Sequence, residues 1–320
     1  MARIGVTGAT GFIGGALVPA LAAAGFSLVL VDDRSGPMVV EHPAHPAEAI
    51  RFDSPRALEL LAGCDAVLHL AAVSGVMPCA RDPAGTRRVN VDATRELLER
   101  CGARGVPVAF ASSFAVVGKP ERLPVNGATP ARPTHEYARQ KAEGEALVAA
   151  ASRRFGTANA ILRMSNVFGS YRVGGRAIAK GNVIAVFLAQ AATGVLSVNA
   201  PGTQRRDFIH LDDVVAHWVA VADLLSRSPP PGAPTFVVGS GEAHSVLEIA
   251  AEIARDWTEA HPHDPVPEIR IVPNPREGVE LVDPEFAVDR RETEERLGVR
   301  CRRHVAETIR GELGLPAAPA

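Results

Sequence analysis

Residues 3–33 read RIGVTGATGFIGGALVPALAAAGFSLVLVDD, and this stretch decides the fold. Arg3-Ile4-Gly5-Val6 is a short apolar run that halts at Gly8-Ala9-Thr10-Gly11-Phe12-Ile13-Gly14. Ala16, Leu17, Ala20, Leu21 and Ala24 then recur at helical spacing. Gly25 stands where a helix closes on a left-handed residue. Leu28-Val29-Leu30-Val31 is a continuous apolar run, the pattern of a parallel strand buried on both faces, and it ends in Asp32-Asp33. The order is strand, glycine turn, helix, strand, acid: a βαβ unit.

The chemistry of such a turn is phosphate binding. Glycines let the backbone approach a pyrophosphate, and the free amides and dipole of the helix start favour negative charge. The cofactor-binding candidates are therefore Gly8, Thr10, Gly11, Phe12, Ile13 and Gly14, joined by Asp32 and Asp33. A carboxylate at Asp32 can accept from an adenosine ribose and repels a 2′-phosphate, which favours NAD over NADP, although Arg34 beside it could accept that phosphate.

Working outward, short apolar runs alternate with helical patterns. A segment around Ile50 to Asp53 precedes a helix ending near Gly63. Ala66 to Leu70 is a buried strand that runs into Ala71-Ala72, and His69 within it reads as a packed strand residue. Val73 to Arg81, with Ser74, is a loop at the carboxyl edge of the sheet that should touch substrate. Val89, Ala93, Leu97 and Cys101 make the stripe of a helix from Pro83 to Arg100. Val106 to Ala111 is a strand ending in Ser112-Ser113. The helix from near Thr134 to Gly156 carries Tyr137 and Lys141, and Ala160 to Arg163 is a further strand. The region 169–201 is irregular apart from a helix over Val183 to Ala192. Gln204 to Val221 returns as strand and helix, and Pro316 to Ala320 reads as a frayed tail. The fold class is α/β: a Rossmann-type doubly wound parallel sheet over 1–165 with a return segment 205–240, and a smaller mixed substrate domain from 166–204 and 241–320.

Composition is that of a globular domain, with 47% hydrophobic and 22% charged residues, and a net charge of −2 gives no case for nucleic acid. Cys64, Cys79, Cys101 and Cys301 have neither paired nor framework spacing, so they read as reduced thiols in the cytoplasm. No apolar run is long enough to span a bilayer. The histidines lack metal-ligand spacing. Arginine dominates the basic residues: Lys119, Lys141 and Lys180 are the only lysines.

Thr7 to Gly14 resembles the TGxxGxxG turn of the short-chain dehydrogenase/reductase superfamily. NVDATRELLE around Asn90, LRMSNVFG around Asn166 and QRRDFIHLDDVVA around Arg206 resemble motifs of its extended branch, the NAD-dependent epimerase/dehydratase family. Members of that branch mostly act on nucleotide-diphosphate sugars. The resemblance implies that Asp53, Leu70, Ala71, Ala72 and Asn90 also line the cofactor. It implies further that Ser74, Asn166, Asn182, Arg206 and Arg276 bind substrate, with Arg276 in PNPREG matching an arginine of a C-terminal RPGD motif. For Asp53, capping a helix before Ser54-Pro55 is an equal alternative.

Tyr137 and Lys141 lie one helical turn apart and share a face. On a face that meets the nicotinamide, the ammonium can hold the ribose and lower the phenol's pKa from about 10, making Tyr137 a base near neutral pH. Ser113 would bond the reacting hydroxyl and pass its proton towards Tyr137. The catalytic candidates are thus Ser113, Tyr137 and Lys141. Ser113-Phe114-Ala115-Val116-Val117 contains no acid, whereas 4,6-dehydratases of this family carry a carboxylic pair there. The expected reaction is therefore C4 epimerisation of a UDP- or dTDP-linked hexose through a 4-keto intermediate. Net ketoreduction or dehydrogenation is the alternative, and a non-catalytic NAD-binding regulator is a third. Where the family usually has VYG this chain has Val116-Val117-Gly118, so one aromatic is missing near the sugar. The helices 83–100 and 134–154 lie where the branch pairs across a two-fold axis, so a homodimer is expected.

Overall fold

The computed structural model describes residues 1–36, 39–42, 44–275 and 285–317. Its first part runs β1 (Arg3–Thr7), α1 (Phe12–Ala23), β2 (Ser27–Asp32), β3 (Glu48–Ala49), α2 (Pro55–Leu61), β4 (Ala66–His69), α3 (Val76–Arg81), α4 (Pro83–Arg87), α5 (Ala93–Gly102), β5 (Val108–Ser113), α6 (Glu136–Phe155) and β6 (Ala160–Met164). It continues through β7 (Asn166–Phe168), β8 (Ser170–Val173), β9 (Arg176–Ala179), α7 (Val183–Ala191), β10 (Val195–Asn199), β11 (Arg205–His210) and α8 (Leu211–Ser226). The last elements are β12 (Thr235–Val238), β13 (Ala243–Ser245), α9 (Val246–Ala260), β14 (Glu268–Val272), α10 (Arg291–Leu297) and α11 (Val305–Glu312).

Among the described residues a seven-stranded parallel sheet runs β12-β6-β5-β4-β1-β2-β3. The direction of winding reverses between β1 and β4, which is where doubly wound sheets open a crevice for ligands. The continuous apolar runs follow from this burial. Along β1, β2 and β4 the side chains alternate between two cores: Ile4, Val6, Leu30 and Leu68 meet α1 and α8 on one face, while Val29, Val31 and Val67 meet α2, α5 and α6 on the other. A third core holds β7, α7, β10, β11 and α9 together, with Phe168, Phe187, Leu196, Phe208 and Ile253 at its centre.

The glycine stops fall where the sequence placed them, with Gly25 and Gly156 left-handed after α1 and α6. Six features differ. β3 is a two-residue strand, Glu48–Ala49, because Phe52 and Asp53 already belong to the turn leading into α2. Ser54, not Asp53, caps α2, accepting from the amide of Ala57. The loop 73–81 winds into α3. Between α4 and α5, Arg88–Asp92 forms a π-helical turn. A stripe at strict four-residue spacing drifts around a helix of 3.6 residues per turn, and one wider turn sets Val89 back in line with Ala93, Leu97 and Cys101. Finally, β8 and β9 form an antiparallel hairpin where an irregular stretch was expected, and β11 leaves the main sheet to pair with β7 and β13. Its following helix, α8, does return to pack on α1. The expected tail reaches residues 318–320, which lie outside the described residues. No helix among the described residues is long and apolar enough to cross a membrane, and none of their His, Cys, Asp and Glu side chains group as a metal site.

Candidate active site

The edge made by the turns after β1 and β4 is built by backbone. A Cβ on Gly8 would lie 2.8 Å from the Ala71 nitrogen, and one on Gly14 would lie 2.2 Å from the Gly8 carbonyl oxygen, so neither position tolerates a side chain. Gly11 is the N-cap of α1 and contributes no side-chain cap, which leaves the first-turn amides for an anion. Asp32 closes the turn, accepting from the Thr10 amide at 3.0 Å and the Arg34 amide at 2.7 Å. Asp33 is spent on Ser35. Arg34 pairs with Glu41 at 2.9 Å. Asp53 is held by Arg51. The glycine cradle and its open helix start fit a dinucleotide pyrophosphate.

A buried polar chain braces this edge. His69 Nδ1 meets Thr7 Oγ1 at 2.7 Å, and Nε2 meets Thr94 Oγ1 at 2.9 Å. The Thr94 hydroxyl is committed as donor to the Asn90 carbonyl, so Nε2 carries the proton and Nδ1 accepts from Thr7. Burial, with the charge of Lys141 behind it, pushes His69 down to about 3, so it is neutral and structural as its strand position implied. Asn90 is itself buried: it accepts from the Val73 amide at 2.8 Å and donates to the Val73 carbonyl and to Gln140. It pins the chain just beyond Leu70-Ala71-Ala72 to α6.

Ser113 ends β5 and Tyr137 and Lys141 stand on α6. Their approach depends on Gly144, whose Cβ would sit 2.4 Å from the Phe110 ring, so the helix lies directly on the strand. The Tyr137 phenol and the Ser113 hydroxyl line the same cavity, near enough for the serine to act on the phenol. The Lys141 ammonium donates to the Ala111 carbonyl at 2.7 Å and lies 4.8 Å from the centre of the Phe110 ring. Beneath it, Ser112 donates to Glu145, which forms a buried bidentate pair with Arg163. Burial pushes Lys141 down to about 8, against Cys79 and Glu145, which act upward. Tyr137 runs opposite to the sequence-based expectation. Burial first, and the Cys79 side chain second, push its phenol up to about 12, and only the Ser113 hydroxyl acts downward. The ammonium that was to lower it is turned to Ala111.

Ser113 and Tyr137 open into a cavity of about 420 Å³. Of the predicted substrate residues, Asn166 and Arg206 line it, and Asn166 also donates to the Asp207 carbonyl. Ser74 does not line it, although its neighbours Gly75 to Pro78 do. Asn182 caps α7 through its carbonyl oxygen, accepting from Ile184 and Ala185, and its Nδ2 is buried with no partner. Arg276 lies outside the described residues. The cavity also takes in Lys180, His135 and Phe286, which sequence reasoning passed over. Phe286 packs its ring 5.8 Å from that of Phe114. For Lys180 a faint signal existed, as one of three lysines in a chain that otherwise uses arginine.

The acids of RDFIHLDD turn away from the cavity. Asp207 accepts from the amides of Ser240 and Gly241, and Asp213 from those of Arg302 and Arg303, so both clamp the C-terminal segments.

The family model described as the NAD dependent epimerase/dehydratase family matches residues 4–239. UDP-glucose 4-epimerase from Mycolicibacterium smegmatis is 30% identical over 273 residues, covering 80% of this chain and 85% of that protein. Among solved structures, the NAD-dependent NDP-hexosamine 5,6-dehydratase TunA of tunicamycin biosynthesis is 28% identical, with a TM-score of 0.80 over 98% of this chain and 97% of that one. MoeE5 in complex with UDP-glucose and NAD is 27% identical, with a TM-score of 0.77 over 98% and 97%. The chain belongs to the NAD dependent epimerase/dehydratase family and is an NAD-dependent enzyme.

Proposed function

We propose that the protein is a nucleotide-sugar 4-epimerase in which Ser113, Tyr137 and Lys141 are the catalytic residues. The observation that carries this reading is that Ser113 and Tyr137 stand together at the wall of a cavity whose described lining contains no aspartate or glutamate but does contain Lys180 and Arg206. Such a lining suits a polyanionic substrate and offers a route for one proton, that of the sugar hydroxyl. Bound NAD supplies a reversible hydride acceptor and a positive charge that favours the phenolate. The chain's own contribution is to hold the hydroxyl at Ser113, to take its proton on Tyr137 and return it, and to keep a cation at Lys141 beneath both. The names of the similar proteins, UDP-glucose 4-epimerase among them, support the substrate class.

The test is incubation of the purified enzyme with UDP- and dTDP-hexoses. Epimers should interconvert with no lasting change in NADH absorbance and no loss of mass from the sugar. A stoichiometric NADH change would favour the ketoreductase reading, and loss of water would favour a dehydratase.

A cytoplasmic setting accords with four free thiols. The same proposal includes a homodimer through the outer faces of α5 and α6, where exposed Ala146 and Ala150 are flanked by the intrachain ion pairs Arg87–Glu143 and Arg154–Glu99. Light scattering that returned the monomer mass would remove it.

A further inference from the structure

We propose that Lys180 is an anion receptor of the substrate cavity, taking a phosphate or carboxylate oxygen of the sugar nucleotide. The assignment rests on the nucleotide-sugar reading above.

Lys180 lies between the β8–β9 hairpin and α7 and lines the same cavity as Ser113, Tyr137, Asn166 and Arg206. Its place in the cavity singles it out. Many surface arginines are paired with carboxylates, Arg34 with Glu41, Arg87 with Glu143 and Arg205 with Glu248 among them. Among the described residues, no carboxylate or carbonyl meets the Lys180 ammonium. Lys180 is exposed where it lines the cavity, so an entering anion can meet its ammonium without displacing a protein partner. No described lining residue is acidic, so among the described residues none competes for that role.

The neighbouring chain points the same way. The Lys180 carbonyl accepts from the Asn182 amide at 2.7 Å, a tight turn that fixes the segment. Two residues on, Asn182 spends its oxygen on the start of α7 and leaves Nδ2 buried and unpartnered. The segment 180–182 therefore carries a charged donor that lines the cavity and, two residues on, a second, buried donor without a partner. A charge-assisted bond from an ammonium to an anionic oxygen is stronger than a neutral one, and as a compact point charge lysine serves phosphate and carboxylate alike.

Isothermal titration calorimetry on the NAD-loaded enzyme tests the assignment, using UDP, dTDP, UDP-glucose, UDP-glucuronic acid and uridine against wild type, Lys180→Ala and Lys180→Arg. Lys180→Ala should bind the preferred nucleotide diphosphate roughly tenfold more weakly, with Lys180→Arg recovering part of the loss and uridine unaffected. Equal losses for UDP and UDP-glucose place the phosphates at Lys180, and a loss confined to UDP-glucuronic acid places the sugar carboxylate there. Either result supports the proposal. Undiminished binding by Lys180→Ala, or a loss that uridine shares equally, overturns it while leaving the nucleotide-sugar reading intact. Wild type that binds none of the nucleotides overturns that reading, and this assignment with it.

Discussion

The edge proposed for the cofactor and the cavity proposed for the substrate are built by opposite means. The edge comes from two turns at the sheet's reversal point, after β1 and β4, and its surfaces are backbone: Gly8 against Ala71, Gly14 against Gly8. The cavity wall is made of side chains donated by segments far apart in the chain, from Met77 through Ser113 and Tyr137 to Asn166, Lys180, Arg206 and Phe286. A backbone surface fixes what binds and leaves little to vary, because its contacts are amides. A side-chain surface can change its ligand one residue at a time. Tyr137 sits at the seam, within the cavity wall and on the helix that Asn90 and Gln140 tie to the cofactor edge.

Removing the phenol at the seam should have the largest effect. Tyr137→Phe leaves the ring in place and deletes the proton acceptor, so turnover should fall by about two to four orders of magnitude, the range of a general acid–base group. NAD and UDP binding should be nearly unchanged, measured by fluorescence and calorimetry. Undiminished turnover would show that the reaction's proton goes elsewhere.

Gly14→Ala should strike the edge alone. Its new methyl would meet the Gly8 carbonyl at 2.2 Å, backbone against backbone, so the turn must open. Overpacking of this kind costs about 1–3 kcal/mol, and NAD should be lost on purification. Gly11→Ala meets that same oxygen at a milder 3.3 Å, so its melting temperature should stay close to wild type. Equal damage from both would mean that the edge is not held by close backbone contact.

This division explains what was legible in the sequence. The edge could be read because glycine spacing, helix period and buried strands are local patterns, and Ser113, Tyr137 and Lys141 followed from their order along the chain. Lys180 and Phe286 could not be read, because neither has a local pattern and both reach the cavity only through the fold. Asn90 was legible as a cofactor-side residue, but its bonds to Val73 and Gln140 are long-range. The hairpin β8–β9 was missed because its strands are short and glycine-rich at the turn. The phenol's upward shift was missed because burial is a property of the packed site.

Lys141 offers a titration of the seam. Its folded pKa of about 8 lies below the ordinary 10.5. Between those values the unfolded chain holds a proton that the folded chain has released, so this group's contribution to stability rises with pH across the window and the burial penalty is full below it. Tyr137, raised from 10 to about 12, works in the opposite sense at higher pH. The melting temperature of wild type minus that of Lys141→Met should therefore rise from pH 8 to 10, on the order of a few degrees. A flat difference would mean that the ammonium is not desolvated.

The smallest effect should come from the contact between the β8–β9 hairpin and the end of the glycine turn. Tyr171, on β8, donates its hydroxyl to the Phe12 carbonyl at 3.1 Å, and the two rings lie 5.9 Å apart. Phe12 opens α1, immediately after Gly11 at the helix N-cap. Burial pushes the Tyr171 phenol up to about 12, so it remains a donor throughout the working range. Tyr171→Phe keeps the ring contact and removes one hydrogen bond, worth about 1 kcal/mol, or roughly a fivefold change in an equilibrium. NAD should leave the variant a few-fold faster in a stopped-flow chase, with the catalytic rate at saturating NAD unchanged. If the hairpin is only a surface ornament, release will match wild type and the two regions are mechanically independent. If release quickens, retention of the cofactor, on which an epimerase depends, is partly set by the β8–β9 hairpin.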